Sequence, residues 1–400
     1  MPQVKKPKSV KNQSLKKNKY NLGILYVLAF ILSLSTALPA YIQSNFLKQF
    51  VSLNILSLFF ILANIGTILS IILFPNLIKK ISNYFLMKMV LLIYAASLLS
   101  LTLANNPVTA LVGTVFYTIS LNLLWINMDI FVESFSANNS TGKTRALYFT
   151  FINLGWICSP ILSAYLISIG SYILTFFTSA VLIIPIFIIF FFQRKNLKDK
   201  VKYSKEKFRA VIKKMWFNRN MRGIFFIALL LNLFYSCAVV YMPIYLHENL
   251  GMSWQILGPI FSLMLIPFIL VEIPAGIIAD KYLGEKELLF TGFAILTCAL
   301  FLFYSITTPT IWLWAFVLFG SRVGAALVES MRETYFFKII DAKDIDYINI
   351  FRMTGPLGYI LGVSIAIITL FFLPLRFLFL VVTIIMLTSF LFVQSIKDTK

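Results

Sequence analysis

The chain has 400 residues and a formal net charge of +20, and 60% of its residues are hydrophobic while only 12% are charged. This composition excludes a soluble fold, because so few polar side chains cannot cover the surface of the core. It also argues against an enzyme or a metal protein, because a single histidine and three scattered cysteines offer no metal cluster and no nucleophile with its base. We therefore expect no catalytic residues, no metal and no cofactor.

Apolar runs of roughly 20 residues, enough for a helix to cross about 30 Å of hydrocarbon, recur along the whole chain. The runs are continuously apolar, whereas the strands of a membrane barrel would alternate at every second residue, so they predict helices. We number twelve predicted spans in chain order: 22–42, 53–74, 84–104, 108–131, 145–168, 172–192, 223–246, 254–279, 287–306, 310–335, 347–372 and 376–395.

Basic residues concentrate in every second loop, beginning with seven lysines among the first twenty residues. The positive-inside rule then places both termini and the central loop in the cytoplasm, with Lys48 and Arg376 as the exceptions on the other side. We interpret the net charge as a topology signal and an attraction to anionic membrane lipid, not as nucleic-acid binding. Abundant lysine, isoleucine, asparagine and phenylalanine suggest an AT-rich bacterial genome and hence the plasma membrane.

The longest loop divides the chain into two groups of six spans. We predict a basic cytoplasmic tail at 1–20, a first half at 21–192, a basic linker at 193–221, a second half at 222–395 and a short tail at 396–400. Within the linker, apolar residues recur at helical spacing among lysines: Phe208, Val211, Ile212, Met215 and Trp216. This spacing predicts an amphipathic helix on the inner membrane surface, with a disordered basic linker as the alternative.

The loop between spans 8 and 9 combines small, acidic and basic residues in a recognisable pattern: Gly276, Asp280, Lys281, Gly284 and Lys286. A glycine lets two helices approach closely, and a glycine-bearing turn with lysines suits the cytoplasmic edge of a membrane. The pattern resembles the loop signature of the major facilitator superfamily, which lies between the second and third helices of each six-helix half. It departs from the commonest form in having two residues between Lys281 and Gly284, and Glu285 where a basic residue is frequent.

The resemblance implies an all-α membrane protein with twelve transmembrane helices in two pseudo-symmetric six-helix halves. It also implies secondary transport of a small organic solute by alternating access. An internal repeat supports it, because three features recur at an offset of about half the chain. Pro39-Ala-Tyr41 is matched by Pro243-Ile-Tyr245, Glu133 by Glu333, and Gly155 by Gly358.

In this family the loop signature helps to hold the cytoplasmic side closed. The resemblance implies a latch between Asp280 and the start of span 5, where unpaired backbone N–H groups, Lys143 and Arg145 concentrate positive potential.

The first-half counterpart of this loop has lost most of the signature. Lys79 and Lys80 stand near the place of the acid, and Asn83 replaces the second glycine, where we expect a left-handed turn. Our hypothesis is a latch with exchanged charges, in which these lysines face Asp344 and Asp346 at the start of span 11. Ordinary interfacial charges are the alternative.

We single out five ionisable residues at membrane depth in the predicted spans, where charge is costly enough to indicate function: Glu272, Arg322, Glu329, Asp129 and Arg352. Arg322 resembles the arginine that the family often carries in its fourth helix, displaced to span 10. Glu272 can pair with Arg322 or share a proton-exchange site with Glu329. The alternative is an internal charge pair that only holds spans 8 and 10 together. We assign Asp129 to gating or to solvation near the inner face, and expect Arg352 to pair with an acid of span 10.

Spans 1, 4, 7 and 10 line the central cavity in this family. The resemblance therefore implies the lining residues Thr36, Tyr117, Asn122, Trp125, Asn127, Asn232, Tyr235 and Tyr241. Aromatic and amide groups suit a neutral or amphipathic solute better than a multiply charged anion, although such groups also join helices by hydrogen bonds. The segment from Gly155 to Ala164 is similar to the glycine-proline motif of antiporters and hints at proton-coupled efflux, with serine and alanine where glycines are usual.

We expect a monomer whose partners are a small solute, membrane lipid and protons as a candidate coupling ion. Two alternatives remain open. A lipid or polysaccharide flippase of another polytopic fold would lack the half-chain repeat and the loop signature. A transport-dead receptor or scaffold would share the fold.

Overall fold

The computed structural model describes residues 8–135, 141–193, 197, 208–340 and 345–397. Every secondary-structure element in these ranges is helical, and twelve of the helices are long and apolar enough to cross a membrane. The predicted fold class and the predicted number of spans are confirmed. We label the spanning helices α1 to α12 in the order of the predicted spans.

The first half contains six spanning helices and one short helix. Their bounds are α1 Lys8–Ala37, α2 Leu53–Ile81, α3 Asn83–Thr102, α4 Pro107–Phe135, α5 Thr141–Gly170 and α6 in two segments, Tyr172–Val181 and Ile183–Phe192. The short helix Gln43–Lys48 lies between α1 and α2. Helix α1 ends two residues before Pro39, because proline has no N–H group to continue the helical hydrogen bonds.

The second half is less regular than the first. Helix α7 covers Arg219–Ser236 and continues through Cys237–Tyr241, Met242–Ile244 and Tyr245–Asn249, and α8 has the three segments Trp254–Leu265, Pro267–Leu270 and Glu272–Lys281. Helices α9 and α10 are continuous, over Glu285–Ser305 and Ile311–Ile339. Helix α11 has the segments Ile345–Arg352 and Thr354–Phe372, and α12 has Arg376–Met386 and Ser389–Ser395. The end of α7 contains two π-helical turns, and Pro267 breaks α8 by removing a hydrogen-bond donor.

An even number of spans brings both ends of the chain to one face of the bundle, which we call the terminal face. The opposite face is the distal face. At the terminal face Lys286 Nζ donates to the backbone oxygens of Gln394 and Ile396, each at 3.3 Å. The Tyr335 hydroxyl donates to the backbone oxygen of Lys397 at 2.7 Å. These bonds fasten α9 and α10 to the end of α12.

The half-chain repeat corresponds to the same close helix contact in each half. A Cβ atom added at Gly155 of α5 would lie 2.9 Å from the backbone nitrogen of Leu34 in α1. A Cβ atom added at Gly358 of α11 would lie 2.9 Å from the backbone nitrogen of Leu233 in α7. The two glycines therefore pack α5 on α1 and α11 on α7, which is the equivalence that their sequence offset predicts.

The linker contains the predicted helix, over Phe208–Phe217. Its apolar residues form one face, of which Val211 and Met215 are buried while Ile212 and Trp216 are exposed. One edge of this face therefore packs on the bundle, and the other remains on the outside of the helix.

One turn residue differs from the sequence prediction, and another agrees with it. The left-handed residue after α2 is Ser82, with φ 65°, and not Asn83. Asn83 instead starts α3, and its side chain donates to the backbone oxygen of Asn127 at 3.2 Å. Gly284 adopts φ 108° before α9, which is the conformation that favours glycine. At Gly276 no atom of the described residues lies within 4 Å of an added Cβ, and the close helix approach there stays a prediction.

Candidate functional site

The two halves meet closely at the distal face, along α5 and α8. A Cβ atom added at Gly258 would lie 3.0 Å from the backbone oxygen of Pro160 and would overlap the methyl group of Ala164. One turn further along α8, the Ser262 hydroxyl accepts a hydrogen bond from the Ile161 N–H at 3.2 Å. Contacts at this distance between helix backbones leave no passage for a solute.

Further contacts between the halves surround this seal. The hydroxyls of Tyr241 in α7 and Ser57 in α2 share a buried hydrogen bond of 2.6 Å. At the rim, Lys48 forms an ion pair with Glu248, and Asn45 donates to the same carboxylate at 3.4 Å. Tyr241, a predicted cavity residue, therefore joins the two halves in this structure.

A cavity of about 210 Å³ lies between the halves, nearer the terminal face. Three helices of the first half and one of the second supply its walls: Ile71 from α2, Asn122, Trp125, Ile126 and Asp129 from α4, Tyr148, Phe149 and Ile152 from α5, and Arg352 from α11. Of the predicted lining residues, Asn122 and Trp125 are in this wall. Two of the predicted buried charges, Asp129 and Arg352, lie beside them.

Arg352 connects the two halves at one end of the cavity. Its Nη1 and Nη2 atoms donate to the two carboxylate oxygens of Glu333 in α10, at 2.8 and 3.3 Å. This fork confirms the predicted pairing with an acid of span 10. The Nε atom lies 3.7 Å from Oδ2 of Asp129 in α4. One guanidinium group thus holds an acid of its own half strongly and an acid of the other half weakly.

The charged network continues along α10. Arg332 Nη2 lies 3.4 Å from Glu329 and 3.6 Å from Glu333, and the Tyr235 hydroxyl donates to Glu329 at 2.6 Å. A continuous chain of polar contacts therefore runs from Tyr235 in α7 to Asp129 in α4. Glu329, predicted as a membrane-depth acid, and Tyr235, predicted as a cavity residue, are both part of it.

A second contact between the halves lies at the terminal face. The Arg145 guanidinium, at the start of α5, is 4.4 Å from the ring centre of Phe337 in α10, a cation–π arrangement. The side chains of Asp280 and Lys143, which the predicted second-half latch also requires, lie outside the described residues. The latch stays a prediction.

The exchanged first-half latch also falls largely outside the described residues. The side chains of Lys79 and Asp346 are not described, and neither is any part of Asp344. Lys80 is exposed. This latch therefore also stays a prediction. In the signature loop, Lys281 is exposed, while Lys286 is committed to the end of α12.

Glu272 and Arg322 do not form the predicted pair. Arg322 is buried in the middle of α10, with its guanidinium 5.3 Å from the ring centre of Phe234, and among the described residues no carboxylate forms an ion pair with it. Glu272 begins the last segment of α8, directly after the break. The Glu272 carboxylate forms no ion pair or hydrogen bond with the described residues, but it interacts electrostatically with Glu329.

The remaining predicted lining residues make hydrogen bonds within the halves. The Tyr117 hydroxyl donates to the backbone oxygen of Thr36 at 3.1 Å, which joins α4 to α1. Asn127 accepts from Asn83 through its backbone oxygen, and Asn232 donates to Thr354 at 3.4 Å, which joins α7 to α11. In this structure these groups hold helices together, as the alternative interpretation expected.

Two residues of this region were missed by the sequence analysis. Tyr148 carries no sequence signal, because an aromatic residue in an apolar span is ordinary. Arg332 lies outside the predicted deep positions, but its spacing from Glu329 by three residues was a usable signal for a helical ion pair. Glu333 was noticed only as a repeat partner of Glu133, whose side chain is not described.

A twelve-helix bundle in two similar halves, with a cavity at their interface, has the architecture of a secondary transporter. The model of the Major Facilitator Superfamily matches residues 10–344. The chain belongs to the major facilitator superfamily.

Two solved transporter structures share this fold. The nucleoside transporter NupG aligns with a TM-score of 0.70 at 16% identity, over 93% of this chain and 100% of that chain. A bacterial homologue of the human lysosomal transporter Spinster, in an inward-facing and unoccupied conformation, aligns with a TM-score of 0.70 at 11% identity, over 95% of this chain and 97% of that chain. A search of curated protein sequences finds no match.

Proposed function

We propose that the protein moves a small organic solute across the plasma membrane by alternating access between its two halves. The observation that carries this proposal is the asymmetry of the interface. The halves pack backbone against backbone at the distal face, while a cavity of about 210 Å³ lies nearer the terminal face, with Asn122, Asp129 and Arg352 in largely apolar walls. A site between two halves that opens to one side at a time is what secondary transport requires.

The terminal face is the cytoplasmic face in this proposal. Its support is the concentration of lysine and arginine in the loops of that face, beginning with the seven lysines of the first twenty residues. Both termini are then cytoplasmic, and the composition favours a bacterial plasma membrane.

Glu272 is the residue we propose for proton coupling. It is half-buried at the break in α8, where an acid without a described cation partner is costly in its charged form. Glu329 lies near enough to interact with it electrostatically, and we propose it as the second acid of the proton-exchange site.

Counterflow in proteoliposomes tests the transport proposal. Labelled small amines, nucleosides, amino acids and carboxylic acids are offered in turn to a variant in which Cys158, Cys237 and Cys298 are replaced by alanine. We expect counterflow of at least one class. Cysteines placed at Lys48 and Glu248 and joined by a short thiol crosslinker should stop it, and cleavage of the crosslink should restore it.

Two results would overturn the proposal. Absence of counterflow for every class offered would indicate a transport-dead receptor or scaffold. Undiminished counterflow in the fully crosslinked protein would exclude opening at the distal face.

Glu272→Gln tests the coupling. We expect counterflow to persist, because exchange needs no net proton movement, while accumulation driven by a pH gradient is lost. Glu287→Gln, which removes an exposed acid at the start of α9, is the matched control and should retain both activities. Unchanged gradient-driven accumulation in Glu272→Gln would contradict the assignment.

A further inference from the structure

The walls of the cavity favour one chemical class of solute. We propose that the cavity binds a small organic monocation whose ammonium group contacts Asp129. This inference rests on the proposed function, because it takes the cavity as the transport site.

Asp129 is a carboxylate with unused hydrogen-bonding capacity. It lines the cavity, and 24% of its side-chain surface is exposed. Its ion-pair contact in the described part of the chain is Arg352 Nε, at a distance of 3.7 Å that is too long for a hydrogen bond. The other two nitrogens of Arg352 are committed to Glu333. An ammonium group in the cavity would give Asp129 the charge-assisted hydrogen bonds that it lacks.

Aromatic side chains surround this carboxylate. Trp125 precedes it by one turn of α4, and Tyr148 and Phe149 of α5 lie in the same cavity wall. The face of an aromatic ring attracts a cation that lies within about 6 Å of its centre. A carboxylate accompanied by three aromatic rings is therefore matched to an organic cation.

The Tyr148 hydroxyl supplies an independent observation. Tyr148 is only 2% exposed, and its hydroxyl makes no hydrogen bond of ordinary geometry to the described residues. Its polar neighbour is the Asp129 carboxylate, which it faces in a looser contact. A buried hydroxyl held only by such a contact is costly, and an ammonium group beside Tyr148 and Asp129 would give both oxygens a close partner.

An anion or a neutral solute fits the walls less well. An anion would be repelled by Asp129 and would have to compete with Glu333 for the fork of Arg352. A neutral solute could bond to Asn122, whose amide donates to Thr118 at 2.9 Å and whose oxygen remains available. It would leave the charge of Asp129 without a counter-charge at hydrogen-bond distance.

The cavity sets the size of the solute. Its volume of about 210 Å³ is below the roughly 300–1,000 Å³ of pockets for drug-sized ligands. A primary amine with one ring or a short chain meets this limit.

Binding of the cation would also break the contact between Arg352 and Asp129, which joins the two halves. The ammonium group would take the place of Arg352 Nε at Asp129, and Arg352 would remain attached to Glu333 in its own half. The ion pair between α4 and α11 would then open. Solute binding and release of one contact between the halves become the same event.

Three probes of similar size and different charge test the proposal: 2-phenylethylamine, 2-phenylethanol and phenylacetate. Each is titrated into the purified full-length protein, and binding is measured from the rise in melting temperature and from quenching of tryptophan fluorescence. We expect saturable binding of the amine only. Asp129→Asn should weaken it by about tenfold or more, the effect of losing a charge-assisted hydrogen bond. Glu287→Gln should bind as the wild type does.

Two further variants separate contact from folding. Asp129→Glu keeps the charge and should recover part of the affinity, which a purely structural role of Asp129 does not predict. Tyr148→Phe should weaken amine binding by about threefold or more through the lost hydroxyl contact. Equal or tighter binding of phenylacetate, unchanged amine affinity in Asp129→Asn, or no binding of any probe would overturn the proposal.

The outcomes distinguish this inference from the proposed function. Counterflow of another solute class without amine binding would refute the cation site and leave transport standing. Amine binding that depends on Asp129, without counterflow of any class, would support the site and refute transport.

Discussion

The distal and terminal ends of the interface between the halves are closed by different chemistry. At the distal end the closure depends on shape, with the backbone of α8 against that of α5 at Gly258 and a neutral hydrogen bond between Tyr241 and Ser57. At the terminal end it depends on charge, with Arg352 held between Glu333 and Asp129. A charged contact can be exchanged for a charged ligand, whereas a backbone contact cannot. A charged solute therefore changes the terminal end of the interface before it changes the distal end.

Arg352→Ala should have the largest effect. It leaves Glu333 with the longer contact to Arg332, at 3.6 Å. Removing one member of a fully buried pair costs about 3–5 kcal/mol, and we expect about 3 kcal/mol because the two side chains are 23% and 15% exposed. Thermal unfolding of the purified protein measures the loss. Arg352→Lys keeps the positive charge but loses the two parallel hydrogen bonds, so its stability should lie between that of the wild type and that of Arg352→Ala. If Arg352→Ala is as stable as the wild type, the terminal contact does not contribute to stability.

Gly258→Ala should have the next largest effect. The added methyl group meets the Pro160 oxygen and the Ala164 side chain, and overpacking of this kind costs about 1–3 kcal/mol. We also expect faster thiol labelling of a cysteine placed at Ser57, because the distal seal is forced apart. Gly23→Ala in α1 is the matched control, since no described atom lies within 4 Å of its added Cβ. Equal stability and labelling in the two variants would refute a seal based on shape.

Lys48→Ala should have the smallest effect. The ion pair with Glu248 lies at the distal rim with side chains 26% and 35% exposed, so solvent screening limits its contribution to less than about 1 kcal/mol. The melting temperature should therefore change little, and added salt should remove the remaining difference. A loss as large as that of Arg352→Ala would mean that charge, not shape, holds the distal end.

The features that depend on length and periodicity were predictable from the sequence. Twelve apolar runs of spanning length gave twelve helices, and the offset between Gly155 and Gly358 gave the same helix contact in each half. The partner of Arg352 was predictable because a buried guanidinium requires an acid and span 10 is rich in them.

The features that depend on how helices pack on each other were not predictable. The pairing of Glu272 with Arg322 assumed a continuous α8, but this helix is broken at Pro267 and again just before Glu272. Tyr148 became a candidate only once α4 and α5 placed it beside Asp129.

The most direct test of the account is a pair of distance measurements on one protein by pulsed electron spin resonance. One pair of spin labels, at Gln49 and Asn249, reports the distal end, and a second, at Leu147 and Ile278, reports the terminal end. All four positions are exposed. We expect two populations: one with a short distal and a long terminal distance, and one with a long distal and a short terminal distance. 2-Phenylethylamine should shift the balance between them only when Asp129 is present. A single fixed distance at both ends, unchanged by the amine, would contradict it.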